Sequence, residues 1–233
     1  MRKIYKLSRY KTMQYPIWFL CILIAGICFS CATGPKQGTP ETPGPKSLVS
    51  ETPQGKVPEL PPIPPIPEHI LGRGQITAEK LASFLLAANP EADEAFVQDL
   101  AGLYVKEAGI EGVNHDVAFA QMCLETGFLR YGNLVTAEMN NFCGLGSVGP
   151  GQPGEWFPNP QTGVRAQIQH LKGYATDAPL KQDLVDPRYR WVRYGSSPGI
   201  KGLAGTWSAD KSYGDKIKNI LERLYQFSFG EAS

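Results

Sequence analysis

Hydrophobic residues recur every three or four positions from about residue 70 to the end of this 233-residue chain, which is the period of an α-helix. Thr77 can cap a first helix. Asn89-Pro90 can cap a second helix that ends at Gly109, and Asn114 can cap a third. The residues predicted to face inward on the first two helices are Leu81, Phe84, Leu85, Ala88, Phe96, Leu100, Leu103 and Tyr104.

Two further helices are predicted after a break. One runs from about Gly163 to Thr176 and the other starts near Ser212. Their inward residues are Val164, Ile168, Leu171 and Ala175 on the fourth helix and Ile217, Ile220, Leu221 and Leu224 on the fifth. The segment 147–163 between the third and fourth helices is rich in Gly and Pro and has room for a short hairpin at most. Residues 70–229 are therefore predicted to form one mainly α domain with a small loop or β lobe beside its cleft.

The third predicted helix is apolar on nearly every side, as a helix in the core should be. Glu125 lies at its end, and Gly127 is placed to terminate it in a left-handed turn. The helix C-terminus and the apolar surroundings both disfavour the charged carboxylate and raise its pKa. A carboxylic acid that stays protonated near neutral pH can serve as a general acid. Periodicity alone leaves open the alternative of a surface glutamate at a frayed helix end.

The N-terminal part of the chain is predicted to deliver this domain to a membrane surface. Residues 1–30 combine five Lys and Arg residues with a short apolar run, which is typical of a signal peptide. Cys31 follows the small residue Ser30, as in a lipoprotein signal, and is the predicted lipidation site. A plain secretory signal and a retained anchor helix are the alternatives. Residues 31–69 contain eleven Pro and no aromatic residue until the domain begins, which predicts a disordered tether.

Charge and cysteine content narrow the possible functions. Removing residues 1–30 leaves 18 of the 23 basic residues against 22 acidic ones, so nothing indicates a nucleic-acid partner. Cys123 and Cys143 remain in the domain, either as a disulfide or as two buried thiols. The three His residues, His69, His115 and His170, are too scattered to predict a metal site. No metal and no cofactor are therefore expected.

Four blocks of sequence resemble the bacterial glucosaminidase domain (mannosyl-glycoprotein endo-β-N-acetylglucosaminidase) of glycoside hydrolase family 73. In chain order they are QMCLETGFLRYGN, MNNFCGLG, TGVRAQIQHLKGYA and LAGTWSADKSYGDKIKNIL. The blocks occur in the family's order between about Ile76 and Leu224, which is more specific than one short motif. The resemblance implies a lysozyme-like helical fold, a peptidoglycan substrate and no cofactor.

The resemblance also assigns roles to residues of the cleft. It implies that Glu125 is the general acid, that Asn140, Asn141 and Gly144 form the cleft floor, and that Tyr213 lines the sugar site. The candidates for stacking walls against sugar rings are Phe142, Trp156, Phe157, Trp207 and Tyr213, with a place in the core as the alternative for each. The family block favours Tyr213, and the Gly- and Pro-rich loop, which could not bury it, favours Trp156.

The sequence identifies the second catalytic group less clearly than the first. The family usually carries a second carboxylate between the N-N block and the next helix, and the acid in that segment here is Glu155. Glu155 can activate water from the opposite face of the sugar, or the substrate's own 2-acetamido group can assist with a Tyr. Weaker candidates for the second carboxylate are Glu138, Asp177 and Asp186.

These observations predict a cell-envelope lipoprotein that hydrolyses peptidoglycan glycan strands at N-acetylglucosaminyl linkages. Its partners are expected to be the glycan and, through lipid on Cys31, a bacterial membrane, and the chain is expected to be a monomer. Two alternatives remain: a non-catalytic peptidoglycan-binding lipoprotein, and an N-acetylmuramoyl-L-alanine amidase. The amidase would usually need a metal, and the sequence offers no cluster of ligands for one.

Overall fold

The computed structural model describes residues 62–132, 134–147, 149 and 151–230. The predicted signal peptide, Cys31 and most of the predicted tether lie outside these residues. Five α-helices run through the described part of the chain: α1 Ala78–Ala88, α2 Glu94–Glu111, α3 His115–Thr126, α4 Pro160–Ala175 and α5 Tyr213–Phe229. Short 3₁₀ turns occur at Ala137–Met139, Tyr189–Trp191 and Ile200–Leu203. The prediction of a mainly α fold, consistent with a lysozyme-like glucosaminidase, is confirmed.

Helix α3 lies at the centre of the domain, as its all-round apolar sequence predicts. It packs against α2, α4 and α5. Phe119 and Met122 are fully buried in this core, and the rings of Phe119 and Tyr104 meet edge to face with centroids 5.5 Å apart. Truncating an aromatic side chain in such a position costs about 3–5 kcal/mol, so α3 is held rigidly.

Three of the predicted helix ends are confirmed, two by side-chain hydrogen bonds and one by its backbone conformation. The Thr77 hydroxyl accepts from the Lys80 N–H at the start of α1, and the Asn114 side chain accepts from the first turn of α3. At the other end of α3, Gly127 has φ 58° and ψ 45°, the left-handed conformation that glycine adopts without strain.

The predicted bounds of α2 were wrong at both ends. Asn89 ends α1 instead of starting α2, because Asp93 supplies a better cap whose carboxylate accepts from the Phe96 N–H at 2.7 Å. Gly109 lies inside α2, and the helix ends at Gly112, which has φ 76°. Two extra residues therefore lengthen the helix past the glycine predicted to stop it.

The other predicted helices are close to those observed. Helix α4 starts earlier than predicted, at Pro160, because the Asn159 side chain caps it and proline fits the first helical position. Helix α5 follows Ser212 as predicted. In the described residues between α3 and α4, the β structure amounts to an isolated bridge between Gly149 and Gln152. The lobe beside α3 is thus a loop.

The chain enters the domain through a short paired segment. Residue His69 forms a bridge with Gly199, and Leu71 forms one with Val113. The Ile70 side chain between them is fully buried. These contacts join the end of the Pro-rich stretch to the core. None of the described helices is long and apolar enough to cross a membrane.

Candidate active site

Glu125 lies in the last turn of α3, immediately before a tightly wound turn. The chain continues from Gly127 into two non-glycine residues with positive φ, Phe128 at 59° and Leu129 at 62°. Non-glycine residues in this region cost of order 1 kcal/mol or more, and such strain often accompanies a functional site. Thr126 offsets it, since its hydroxyl accepts from the Leu129 N–H at 2.9 Å and its carbonyl accepts from the Tyr131 N–H at 2.7 Å.

The Glu125 carboxyl is partly buried and is contacted by two side chains from the C-terminal part of the chain. The Tyr213 hydroxyl, at the start of α5, donates a hydrogen bond to Glu125 Oε1. Burial raises the pKa of Glu125 above its usual range, while the hydrogen bonds from Tyr213 and from the Trp207 side chain lower it. Burial is the larger effect, so the direction predicted from the sequence is correct.

The loop carrying Asn140 and Asn141 faces the carboxyl from the other side. Asn141 is fully buried, and its amide donates to the carbonyls of Leu145 and Glu155 at 2.9 and 3.0 Å. Its side-chain oxygen accepts from the Leu145 N–H at 3.0 Å. Asn141 therefore clamps the loop that carries Gly144, where a Cβ would lie 3.6 Å from Glu125 Oε2.

The side chains of Asn140 and Phe142 make contacts within the protein. Asn140 adopts a left-handed conformation with φ 48°, and its amide donates to the Phe157 carbonyl at 3.0 Å. The Phe142 ring is fully buried, 6.4 Å from the ring of Phe96. Its expected role as a stacking wall does not fit this position, because no face of the ring is open to a sugar. Phe157 is buried as well.

A pocket of about 180 Å³ opens next to this loop. Its lining residues are Cys143, Gly144, Leu145, Gly146, Ser147, His170, Tyr174, Arg188, Trp191 and Trp207. Trp207 therefore contributes both to this wall and to the surroundings of Glu125. The pocket brings backbone of the N-N loop together with aromatic and charged side chains from the C-terminal part of the domain, as a sugar-binding cleft requires.

A hydrogen-bonded His–Asp pair supports Trp207 from behind. The His170 ring meets the Trp207 ring edge to face at a centroid distance of 5.0 Å. His170 Nδ1 lies 2.6 Å from an oxygen of Asp186, whose carboxylate is buried and also accepts from the Arg188 N–H at 2.8 Å. Asp186, a weaker candidate for the second carboxylate, is thus occupied in fixing His170.

Glu155 lies next to the C-terminal end of the N-N loop, beside Leu145 and Gly146. Its backbone N–H donates to the Leu145 carbonyl at 2.8 Å, and its carboxylate lies 3.7 Å from Arg188 Nη1. The side chain is 31% exposed, so water can reach it. The carboxylate also fills the space beside Gly146, where a Cβ would lie only 2.9 Å from Glu155 Oε1. Glu155 is held by the loop and by an ion pair.

Trp156 is the most exposed large aromatic residue among those described, at 64%.

Cys123 and Cys143 are both buried and unpaired, and burial raises the pKa of each thiol, so neither is a ready nucleophile. In the part of the chain that the structure describes, no three His, Cys, Asp or Glu side chains converge to hold a metal ion.

Comparison with known proteins decides the family. The glucosaminidase family, described as mannosyl-glycoprotein endo-beta-N-acetylglucosaminidase, matches residues 101–226, more than half of the chain. The chain belongs to this glucosaminidase family. The matched region starts within α2 and ends within α5, so this glucosaminidase domain contains Glu125, the N-N loop, Trp207 and Tyr213.

The chain also has a relative in Borreliella burgdorferi (strain ATCC 35210 / DSM 4680 / CIP 102532 / B31). That protein carries the description "Uncharacterized protein". The two are 42% identical over 159 residues, which cover 68% of this chain and 78% of the relative. The likeness supports one shared fold, and the relative's description adds no activity.

Sequence reasoning missed the roles of several polar residues behind this site. Gln121 and Gln167 are fully buried and link Tyr213 to the core through hydrogen bonds. His170 and Asp186 pair behind Trp207. A polar residue inside an otherwise apolar helix, such as Gln121 in α3, was the available signal, because a buried amide needs hydrogen-bond partners.

Proposed function

We propose that this glucosaminidase cleaves the glycan strands of peptidoglycan at N-acetylglucosaminyl linkages, with Glu125 as the general acid. Family membership supports a glycoside hydrolase, and peptidoglycan fits the family as a substrate. The observation that carries the role of Glu125 is its position: a partly buried carboxyl beside Gly144, with Tyr213 bonded to its other oxygen.

In this proposal Glu125 protonates the glycosidic oxygen as the bond to the anomeric carbon breaks. Burial raises the pKa of Glu125, which keeps a fraction of the acid protonated near neutral pH. Water attacks the anomeric carbon, and the developing positive charge on the sugar is stabilised by groups on its opposite face. The pocket wall at Trp207 and the exposed Trp156 are proposed to contact sugar rings.

Glu155 is proposed as the group that activates the water. Its carboxylate is partly exposed and is held between Gly146 and Arg188, both of which line the pocket. The competing arrangement uses the 2-acetamido group of the substrate in place of Glu155. Tyr213 is less suited to help that group, because its hydroxyl proton is already donated to Glu125.

The test of the acid role is the release of reducing ends from purified sacculi. Glu125→Gln keeps the shape of the side chain and removes its proton, so hydrolysis should fall by about 100-fold or more. Glu222→Gln, an exposed position on α5, controls for loss of a carboxylate elsewhere. Near-normal hydrolysis by Glu125→Gln would exclude this mechanism, and sacculus binding without hydrolysis by the wild type would indicate a non-catalytic binding protein.

Glu155→Gln separates the two proposals for the second group. If Glu155 activates water, the maximal rate should fall by about 100-fold while Glu155→Asp retains part of it. If the 2-acetamido group acts instead, Glu155→Gln should keep most of the rate. Substrates lacking the N-acetyl group should then be inert.

The location of the enzyme is also a proposal and depends on residues 1–31. Lipid on Cys31 would anchor the domain to a membrane, and the Pro-rich tether would give it reach to the wall. Mass spectrometry of the purified N-terminus should find a diacylglycerol-modified Cys31. A chain that starts at another residue, or carries no lipid, would contradict this part of the proposal.

A further inference from the structure

A line of buried hydrogen bonds runs from the core to Glu125. Gln167 Nε2 donates to the Ala118 carbonyl at 3.0 Å and to Gln121 Oε1 at 2.8 Å. Gln121 Nε2 donates to the Tyr213 hydroxyl at 3.0 Å, and that hydroxyl donates to Glu125 Oε1. The relay, as we call it, thus joins three helices at the catalytic centre: α3, α4 and α5.

The direction of the relay is fixed at its inner end. The Ala118 carbonyl can only accept a hydrogen bond, so the Gln167 side chain must turn its NH₂ group toward it. The opposite end of the same amide, Gln167 Oε1, accepts from the Tyr104 hydroxyl at 2.5 Å. Reversing the Gln167 amide would place two carbonyl oxygens against each other in a fully buried site, at a cost of a buried unpaired group.

The orientation of Gln167 fixes the direction of the next hydrogen bonds, those of Gln121 and Tyr213. Because Gln167 presents NH₂ to Gln121, the latter must present its oxygen there and its own NH₂ to Tyr213. A tyrosine hydroxyl that accepts from an amide has its single proton left to donate. That proton points at Glu125 Oε1.

The outer end of the relay therefore determines which oxygen of Glu125 carries the acid proton. Oε1 accepts from Tyr213 in both protonation states, so the proton of the neutral acid resides on Oε2. A Cβ at Gly144 would lie 3.6 Å from Oε2, which places this oxygen toward the N-N loop. Gly144 lines the pocket, so the proton is on the side where the glycan is proposed to lie.

We propose that Gln121 and Gln167 are positioning residues that hold the acid proton of Glu125 on Oε2, facing the glycan. The proposal rests on the proposed role of Glu125 as the acid. Without the relay, Tyr213 can turn its proton away and accept from Oε1, which leaves the acid proton pointing into the protein.

Two substitutions at Gln121 test the direction of the bonds separately from their presence. Gln121→Glu keeps the size of the side chain, but an ionised carboxylate accepts from both neighbours and reverses the bond to Tyr213. Gln121→Met removes the bond to Tyr213 without imposing the reverse. The initial rate on soluble glycan strands at neutral pH should fall about threefold in Gln121→Met and at least about tenfold in Gln121→Glu, with KM unchanged in both.

A second readout follows the proton of Glu125 without hydrolysis. The carboxyl carbon of Glu125, followed by ¹³C NMR against pH, should titrate at higher pH in Gln121→Glu than in the wild type. Tyr213 no longer donates to the carboxylate, and the new carboxylate at position 121 repels its charge; both effects disfavour the charged form of Glu125. If Gln121→Glu does not fold, the threefold fall in the rate of Gln121→Met is the test of the relay, and an unchanged rate in that variant would overturn it.

Tyr104→Phe is the matched control for loss of a buried hydrogen bond. It removes the donor to Gln167 Oε1, while the Ala118 carbonyl still fixes the direction of the amide. Its stability should fall, since a buried acceptor is left unpaired, but its rate and the Glu125 titration should match the wild type.

The outcomes separate this proposal from the proposed function. Equal rates for the wild type and Gln121→Glu, with Glu125→Gln inactive, would overturn the relay and leave the acid role intact. Hydrolysis by Glu125→Gln would overturn the acid role, and the NMR titration would still decide whether Gln121 directs the proton of Tyr213. An unchanged titration in Gln121→Glu would overturn the relay directly.

Discussion

Removing the Tyr213 hydroxyl should change the pH dependence of the enzyme in a defined direction. Tyr213→Phe removes one of the two side-chain contacts that lower the pKa of Glu125, while burial, the larger effect that raises it, remains. The pKa of Glu125 should therefore rise further. The proposed acid works only when protonated, so the fall in rate at high pH should move to higher pH.

The magnitude follows from the hydrogen bond that is lost. A hydrogen bond to a charged group contributes about 1.5–3 kcal/mol, and each 1.36 kcal/mol corresponds to a tenfold change in proton affinity. Glu125 is only partly buried, so the lower end of that range applies. Proton binding by Glu125 should strengthen about tenfold in Tyr213→Phe.

The assay is the pH profile of kcat/KM for release of reducing ends from soluble glycan strands. The high-pH limb should shift upward in Tyr213→Phe. The low-pH plateau should fall, because a weaker acid transfers its proton less readily.

The control is Tyr225→Phe, which removes another buried tyrosine hydroxyl on α5, one that donates to Asp116 at 2.8 Å. This variant should lose stability and keep the wild-type pH profile. A high-pH limb that stays in place or moves to lower pH in Tyr213→Phe would refute the reasoning about Glu125.

Three further predictions concern stability. Gly163→Ala would push a Cβ into the backbone carbonyl of Asn140 in the N-N loop, so the free energy of unfolding measured in urea should fall by roughly 2 kcal/mol or more. Gly102→Ala, which has open space around it in α2, should be neutral or stabilising by up to about 1 kcal/mol. Equal effects of the two substitutions would contradict this packing. Lys172→Met leaves the Glu111 carboxylate buried without its ion-pair partner at 2.8 Å and should lower the free energy of unfolding by about 3–5 kcal/mol. A much smaller loss would indicate that the backbone N–H donors are enough to stabilise the Glu111 carboxylate. Because the folded pKa of Glu125 is raised, its ionisation opposes folding above the unfolded pKa. The melting temperature of Glu125→Gln should therefore rise relative to that of the wild type as the pH increases from about 4 through the folded pKa. A difference that does not change with pH would argue against the raised pKa.

Features encoded within a few residues could be predicted from the sequence. Helix α3, its cap at Asn114 and its end at Gly127 follow from local periodicity and capping chemistry. The raised pKa of Glu125 follows from the same stretch. The second helix was misplaced because two capping sites, Asn89 and Asp93, lie four residues apart and only the packed structure decides between them.

Features that depend on contacts between distant segments could not be predicted. The sequence offers no way to tell that the Phe142 ring turns into the core. Likewise, Gln121 meets Gln167 across 46 positions and Tyr213 across 92. The relay became visible only when three helices were brought together. The sequence thus predicts the acid but not the groups that orient it.

The most direct test of the central claim is the identity of the new chain ends in digested sacculi. Fragments reduced with borohydride and separated by mass should carry reduced N-acetylglucosamine at their ends when the wild type is used, and none when Glu125→Gln is used. Ends carrying reduced N-acetylmuramic acid, or stem peptides released from intact glycan, would contradict cleavage at N-acetylglucosaminyl linkages by Glu125.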